Sequence, residues 1–173
     1  FKKIPLPIGT HFESVTDTLC GFNIAGPLAR NVLSRLTNAD LSNGEFPFMR
    51  SRRIDVAGVW CIALRLSFTG DLGWELYCEA ADQPQLYRAL LDAATKFGGG
   101  PVGSRALGSL RLEKGYGSWG RDYSPEYWPH ESGLGALVKS EKPFLNGDAW
   151  EKVRQEKLRY LMCMLDIDHE GVG

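Results

Sequence analysis

Leu28, Val32, Leu33 and Leu36 recur at helical spacing behind Gly26-Pro27. Proline near a first turn is pre-set for a helix, so one is expected here, with Asn38 able to end it in a left-handed conformation. Over residues 53–68 the period changes to two. Trp60, Ile62, Leu64, Leu66 and Phe68 fall on one face, with Cys61, Ala63, Arg65 and Ser67 on the other. That alternation predicts a half-buried strand. Ile54 and Val56 precede it across Ala57-Gly58, a two-residue connection suited to a hairpin. The Gly70-Asp71-Leu72-Gly73 turn leads into a short strand over residues 74–78, with Glu75 and Tyr77 opposite Trp74 and Leu76.

Asp82 is placed to cap a second helix that has Pro84 in its first turn, Leu86, Leu90, Ala94 and Phe97 on one stripe, and Gly98 at its end. A third helix is expected from Ser104 to about Lys114, with Leu107 and Leu110 inward and Arg111 and Glu113 lateral. Residues 116–138 are rich in aromatics, Gly and Pro and read as a packed irregular loop, the kind of segment that often carries function. A polar link over residues 148–156 leads to an apolar run, 161–167, expected to be a strand. Such a strand needs partners for its backbone groups, and none follows in the sequence. Helix, hairpin, strand, helix, helix implies an α+β fold, an antiparallel sheet with helices in ferredoxin-like layers. Three segments are expected: a lead-in over 1–18, a central domain over 19–145, and 146–173 as a linker with the first strand of a further domain.

Composition narrows the function. The 173 residues carry ordinary apolar and charged fractions and a net charge of −1, which gives no reason to expect a nucleic-acid partner. The longest apolar runs fall far short of the roughly 20 residues that cross a bilayer, so no membrane partner is expected and the chain reads as soluble. Cys20, Cys61, Cys78 and Cys163 are scattered without metal-ligand spacing and read as reduced, mostly buried thiols. The chain opens on Phe1 with no signal-peptide pattern.

Most generic chemistry drops out. Residues 98–103 match G-x-G-x-x-G in letters, but the run follows a helix and contains Pro101, which has no amide to offer a pyrophosphate. His11, His130 and His169 are far apart, so no metal site is expected. No serine or cysteine stands in a nucleophile elbow.

Two stretches remain: Phe68-Thr69-Gly70-Asp71-Leu72-Gly73-Trp74-Glu75-Leu76-Tyr77, and Ser109-Leu110-Arg111-Leu112-Glu113-Lys114-Gly115-Tyr116 running on to Gly120-Arg121-Asp122. With Ala25-Gly26-Pro27-Leu28-Ala29-Arg30 and Glu131-Ser132-Gly133-Leu134, they resemble the folate-binding module of the glycine-cleavage T-protein (aminomethyltransferase) family. The wording is above all that of the C-terminal half of sarcosine and dimethylglycine dehydrogenases, and it runs from about Leu19 to about Phe144.

The resemblance implies tetrahydrofolate as cofactor and a small methylated amine as the second partner, with any FAD on another domain of a parent protein. It places the pterin-binding glutamate on Glu75. One carboxylate can accept a ring N–H and an amino N–H side by side, so the chemistry agrees. Trp74 and Tyr77 are candidates to line the ring, Phe68 stands in the turn beside it, and Arg121 could meet the glutamate tail of folate. Surface ion pairing explains Arg121 and Asp122 equally well, and Arg111 and Glu113 read as scaffold.

The departures from the family matter as much. Phe68 replaces the usual tyrosine and removes its hydroxyl, while Leu107 and Gly108 replace an Arg-Asp pair found in the glycine-cleavage branch. Only Glu13 and Asp17 precede Gly26 as acids, and neither stands in the motif of the family's catalytic aspartate. No residue is therefore assigned as catalytic, and the resemblance implies a module truncated at both ends and inactive alone. Such a module is expected to expose apolar surface and to associate with itself or with missing parent domains. The location implied is cytoplasmic, or the mitochondrial matrix in a eukaryote. Two other readings stay open: a non-catalytic interaction module that has lost folate, and a folate-dependent demethylase of another methylated compound.

Overall fold

The alternating segments form strands because each can bury one row of side chains, and in the computed structural model, which describes residues 8–166, they join into one sheet. Strands β1 (Leu19–Ala25), β2 (Ser51–Val56), β3 (Val59–Leu64) and β4 (Gly73–Glu79) pair antiparallel in the order β1-β4-β3-β2. Helices α1 (Ala29–Leu33), α2 (Gln83–Thr95), α3 (Ser104–Glu113) and α4 (Gly147–Val153) complete the regular structure. The chain divides into two units, one running to Leu110 and the other starting at Arg111, a step that lies inside α3.

In the first unit the β2–β3 hairpin closes as expected. Val56 pairs with Val59, and both Ala57 (φ 54°) and Gly58 (φ 80°) take the left-handed conformation that a two-residue turn demands. Asp55 Oδ1 accepts the Gly58 amide at 3.0 Å. Strand β1 was not expected from the sequence. It pairs along its whole length with β4, from Leu19 opposite Glu79 to Ala25 opposite Gly73. The close approach needs glycine, since a Cβ on Gly73 would stand 2.8 Å from the Ile24 carbonyl oxygen.

One face of this sheet is closed. Ile54, Val56, Val59, Cys61, Ala63, Trp74, Leu76 and Cys78 pack with Ala29 and Leu33 of α1 and with Leu86 and Leu90 of α2. The smaller row of β3 points inward: Cys61 and Ala63 are buried while Trp60 is 71% exposed. The reason is cross-strand. Cys61 shares its face with Ile54, and Ala63 with Leu76, and it is those partners that the helices cover.

Several local expectations are corrected. Helix α1 stops at Leu33 rather than near Asn38, because its exit tightens (Leu36 N to Leu33 O, 2.9 Å) and the Leu36 carbonyl accepts the Ala57 amide of the hairpin at 2.7 Å. Asn38 is not left-handed. Asp82 makes no side-chain cap; a 3-10 turn, Ala80–Asp82, leads into α2 instead. Ala93, rather than Ala94, is the third buried residue of that helix. Its end is as expected, with Gly98 at φ 74° and the Gly99 amide on the Ala94 carbonyl at 2.9 Å.

The α+β class with an antiparallel sheet holds. A ferredoxin-like βαββαβ layer is not completed, since no strand follows α2 among the described residues. The strand expected over 161–167 is also absent as far as residue 166, and Ile167 lies outside the described residues. That stretch is tied instead by single bonds such as Met162 N to Glu131 O, 3.0 Å.

The second unit is organised by buried charge. Arg111, expected to be lateral, is 5% exposed; its Nη1 donates to the Tyr116 carbonyl at 3.0 Å and pairs with the Asp122 carboxylate. Asp122 also accepts the Ser118 amide at 2.8 Å, and these bonds hold its carboxyl below the usual carboxylate range. Glu131, fully buried, takes the Trp128 amide and both the amide and guanidinium of Arg159. The Arg159 bonds hold its carboxyl down to about 2.

Candidate functional site

The other sheet face of the first unit carries the polar chemistry. Strand alternation puts Glu75 and Tyr77 of β4 on it, since Trp74, Leu76 and Cys78 take the core side. The register then fixes their neighbours. Glu75 stands between Asn23 of β1 and Leu64 of β3, and Tyr77 between Gly21 and Ile62. Residues directly opposite across an antiparallel pair have Cβ atoms roughly 5 Å apart, so these side chains form one surface. Glu75 and Tyr77 are half-buried, Asn23 and Trp60 exposed.

Tyr77 organises the carboxylate. Its hydroxyl donates to Glu75 Oε2 at 2.8 Å, and that bond, with some burial and the adjacent negative charge, pushes the phenol above its ordinary value. The Tyr77 ring lies over β1 because Gly21 has no side chain there; a Cβ would come within 3.0 Å of the ring. Glu75 Oε1 makes no hydrogen bond with any described residue, nor does the side-chain amide of Asn23. The face thus presents an oriented carboxylate with acceptor capacity left, beside an unpaired amide and between apolar side chains. That is an edge suited to a flat ligand with adjacent N–H donors.

The other sequence candidates are distributed differently. Trp74, a candidate ring-lining residue, is fully buried on the opposite sheet face, because its indole fills the core against Phe46 at 6.3 Å between ring centroids. Phe68 is part-exposed in the connection before the Gly70 turn, where Ser67, Thr69 and Asp71 bond one another. Arg121 belongs to the second unit, where it is exposed and has no ion pair among the described residues; Asp122 pairs with Arg111 rather than with it. Asn23 and Gly21 were missed. Their role comes only from pairing with β4, and nothing local in the 19–25 stretch marks it.

The model for the GCVT N-terminal domain matches residues 2–142. Mouse dimethylglycine dehydrogenase, a mitochondrial protein, is 37% identical over 166 residues, 92% of this chain and 19% of that protein. Human mitochondrial sarcosine dehydrogenase is 42% identical over 144 residues, 82% of this chain and 16% of its own length. An aminomethyltransferase of Anoxybacillus flavithermus is 37% identical over 162 residues, 92% of this chain and 44% of that protein. The chain thus covers about a fifth of the dehydrogenases and under half of the aminomethyltransferase. Among solved structures, heterotetrameric sarcosine oxidase from Corynebacterium sp. U-96 matches 51% of this chain and 44% of its own at 25% identity, with a TM-score of 0.45.

Proposed function

Because the chain belongs to the GCVT N-terminal domain family, we propose that its open sheet face binds the pterin ring of tetrahydrofolate through Glu75. The parent protein, on this reading, passes a one-carbon unit from an N-methyl or aminomethyl donor to that cofactor. The observation that carries it is the Glu75 carboxylate, oriented by Tyr77 on one oxygen and without a partner on the other among the described residues. The residues fit the group. A pterin edge offers a ring N–H and an amino N–H side by side, and Glu75 can accept both. Gly21 gives the Tyr77 ring room to lie across β1, and Ile62 and Leu64 give the ligand an apolar bed.

Tetrahydrofolate, when bound, supplies the amine that accepts the one-carbon unit. This chain's own residues bind and orient: Glu75 takes the N–H donors, the Tyr77 hydroxyl orients Glu75 through one hydrogen bond, and Phe68 contributes an apolar ring without a hydroxyl. No residue here is assigned to proton transfer.

Calorimetric titration of the chain with tetrahydrofolate, beside Glu75→Ala, tests the reading. Binding should weaken at least tenfold in the variant, about 1.4 kcal/mol. Equal affinity in both proteins would remove Glu75 from the site. No binding by the folded wild type at millimolar ligand would mean either that the site needs a segment outside this chain or that the module has lost folate, and the same titration of the full-length parent would decide which.

A further inference from the structure

A second cluster lies on the core side of the same sheet, where Trp74 meets two arginines. Arg30, from α1, has its guanidinium carbon 5.9 Å from the centroid of the Trp74 ring, and Arg65, just beyond β3, has its own at 5.8 Å from the same ring. Two cations against one indole repel each other. The charge of Arg30, after burial, is among the causes that lower the proton affinity of Arg65. Neither guanidinium forms an ion pair with a carboxylate among the described residues.

The donors outnumber the acceptors. A guanidinium carries five N–H donors and no acceptor, and an indole carries one donor only. Against these, the protein supplies Asn43 Oδ1 to Arg30 Nη2 at 2.7 Å and the Phe46 carbonyl to Arg65 Nη1 at 2.6 Å. Arg30 Nε and Trp74 Nε1 are both buried and have no acceptor among the described residues. Trp74 itself is fully buried, while Arg30 and Arg65 are each half-buried and reach solvent. Buried donors are ordinarily satisfied, so the orphaned Trp74 indole N–H, with two guanidiniums that have no carboxylate partner among the described residues and one of which has its own Nε unsatisfied, marks a missing acceptor of negative charge.

We infer that Arg30, Arg65 and the Trp74 indole N–H form a binding site for a small oxyanion, a carboxylate or a phosphate. Planar arginine forks match either group through paired N–H bonds, and an oxyanion would supply acceptors and opposite charge together. The site is separate from the Glu75 edge, since Trp74 and Glu75 point to opposite faces of β4. It stands whether or not that edge binds folate.

The test is a ¹H–¹⁵N titration of the chain with inorganic phosphate and, separately, with acetate, each against sodium chloride at matched ionic strength. The reporters are the Trp74 indole and Arg30 Nε–H resonances, the indole assigned through Trp74→Phe. Saturable shifts of both are expected with at least one oxyanion, and its identity distinguishes phosphate from carboxylate. Arg30→Gln and Arg65→Gln should each weaken the binding at least tenfold, and Arg88→Gln, on the exposed side of α2, should leave it unchanged. Shifts no larger than those with chloride, or binding undiminished in Arg30→Gln, would overturn the site. The wild-type titration decides the matter alone if a variant does not fold.

Discussion

Both faces of the sheet carry aromatic and aliphatic side chains, yet only one is closed. Trp74 on the inner face is fully buried, whereas Trp60 on the outer face is 71% exposed. The inner face belongs to α1 and α2 and holds the fold together; the outer one holds Glu75, Tyr77 and Asn23 with their hydrogen-bonding capacity partly unspent. The contrast teaches that apolar size does not choose the inner face of a strand. Helices packing on neighbouring strands choose it, and the polar residues left outside become available for recognition.

The largest expected contrast is therefore between two tryptophans. Trp74→Ala should cost about 3–5 kcal/mol of unfolding free energy in urea, the loss of a buried aromatic with its cavity. Trp60→Ala should stay within about 0.5 kcal/mol. Equal losses would mean that the outer face is packed too.

Titration separates the faces next. Burial raises the Cys61 thiol from 9.0 to about 11, and burial with the Cys20 thiol 3.4 Å away raises Cys78 to about 12. A group that holds its proton more tightly when folded favours the fold below its unfolded value, and that contribution is lost as pH rises through the folded one. The urea midpoint should accordingly fall between about pH 9 and the folded values of these thiols, and fall less in Cys78→Ala. Alkylation near pH 8 should label exposed Cys163 first and leave Cys61 and Cys78 unmodified until the chain unfolds.

On the outer face, the absorbance titration of Tyr77 should move back toward an ordinary phenol in Glu75→Ala, because the first cause of its raised value is that hydrogen bond. A Tyr77 titration that stays put would break the assignment of an oriented carboxylate. A small gain in stability is expected at the hairpin, outside both faces. Ala57→Gly relieves a positive φ of 54° and should stabilise by roughly 0.5–1 kcal/mol, read from the same urea curves.

Much of the fold was legible. The Ala57-Gly58 turn, the Gly98 stop of α2 and the opposition of Glu75 and Tyr77 to Trp74 and Leu76 all follow from local rules, a period of two or a residue tolerant of positive φ. Strand β1 was not, because its 19–25 stretch becomes a strand by pairing with residues 73–79, far along the chain. The short α1 was hidden for the same reason, since Leu36 spends its carbonyl on the hairpin. At the candidate site, Glu75 and Tyr77 were named from the motif, whereas Trp74 belongs to the core and Asn23 and Gly21 were invisible.

The sequence by itself determined the period of each segment, the places where the chain must turn, and the motifs that mark its family, because these depend on residues close together. Only the tertiary structure decided which row of β3 is buried, that Arg111 and Glu131 lie inside rather than on the surface, and that Arg30 and Arg65 share one indole. Those outcomes depend on which distant surfaces meet, and the free energy of burying a side chain is set by what covers it, not by what precedes it in the chain.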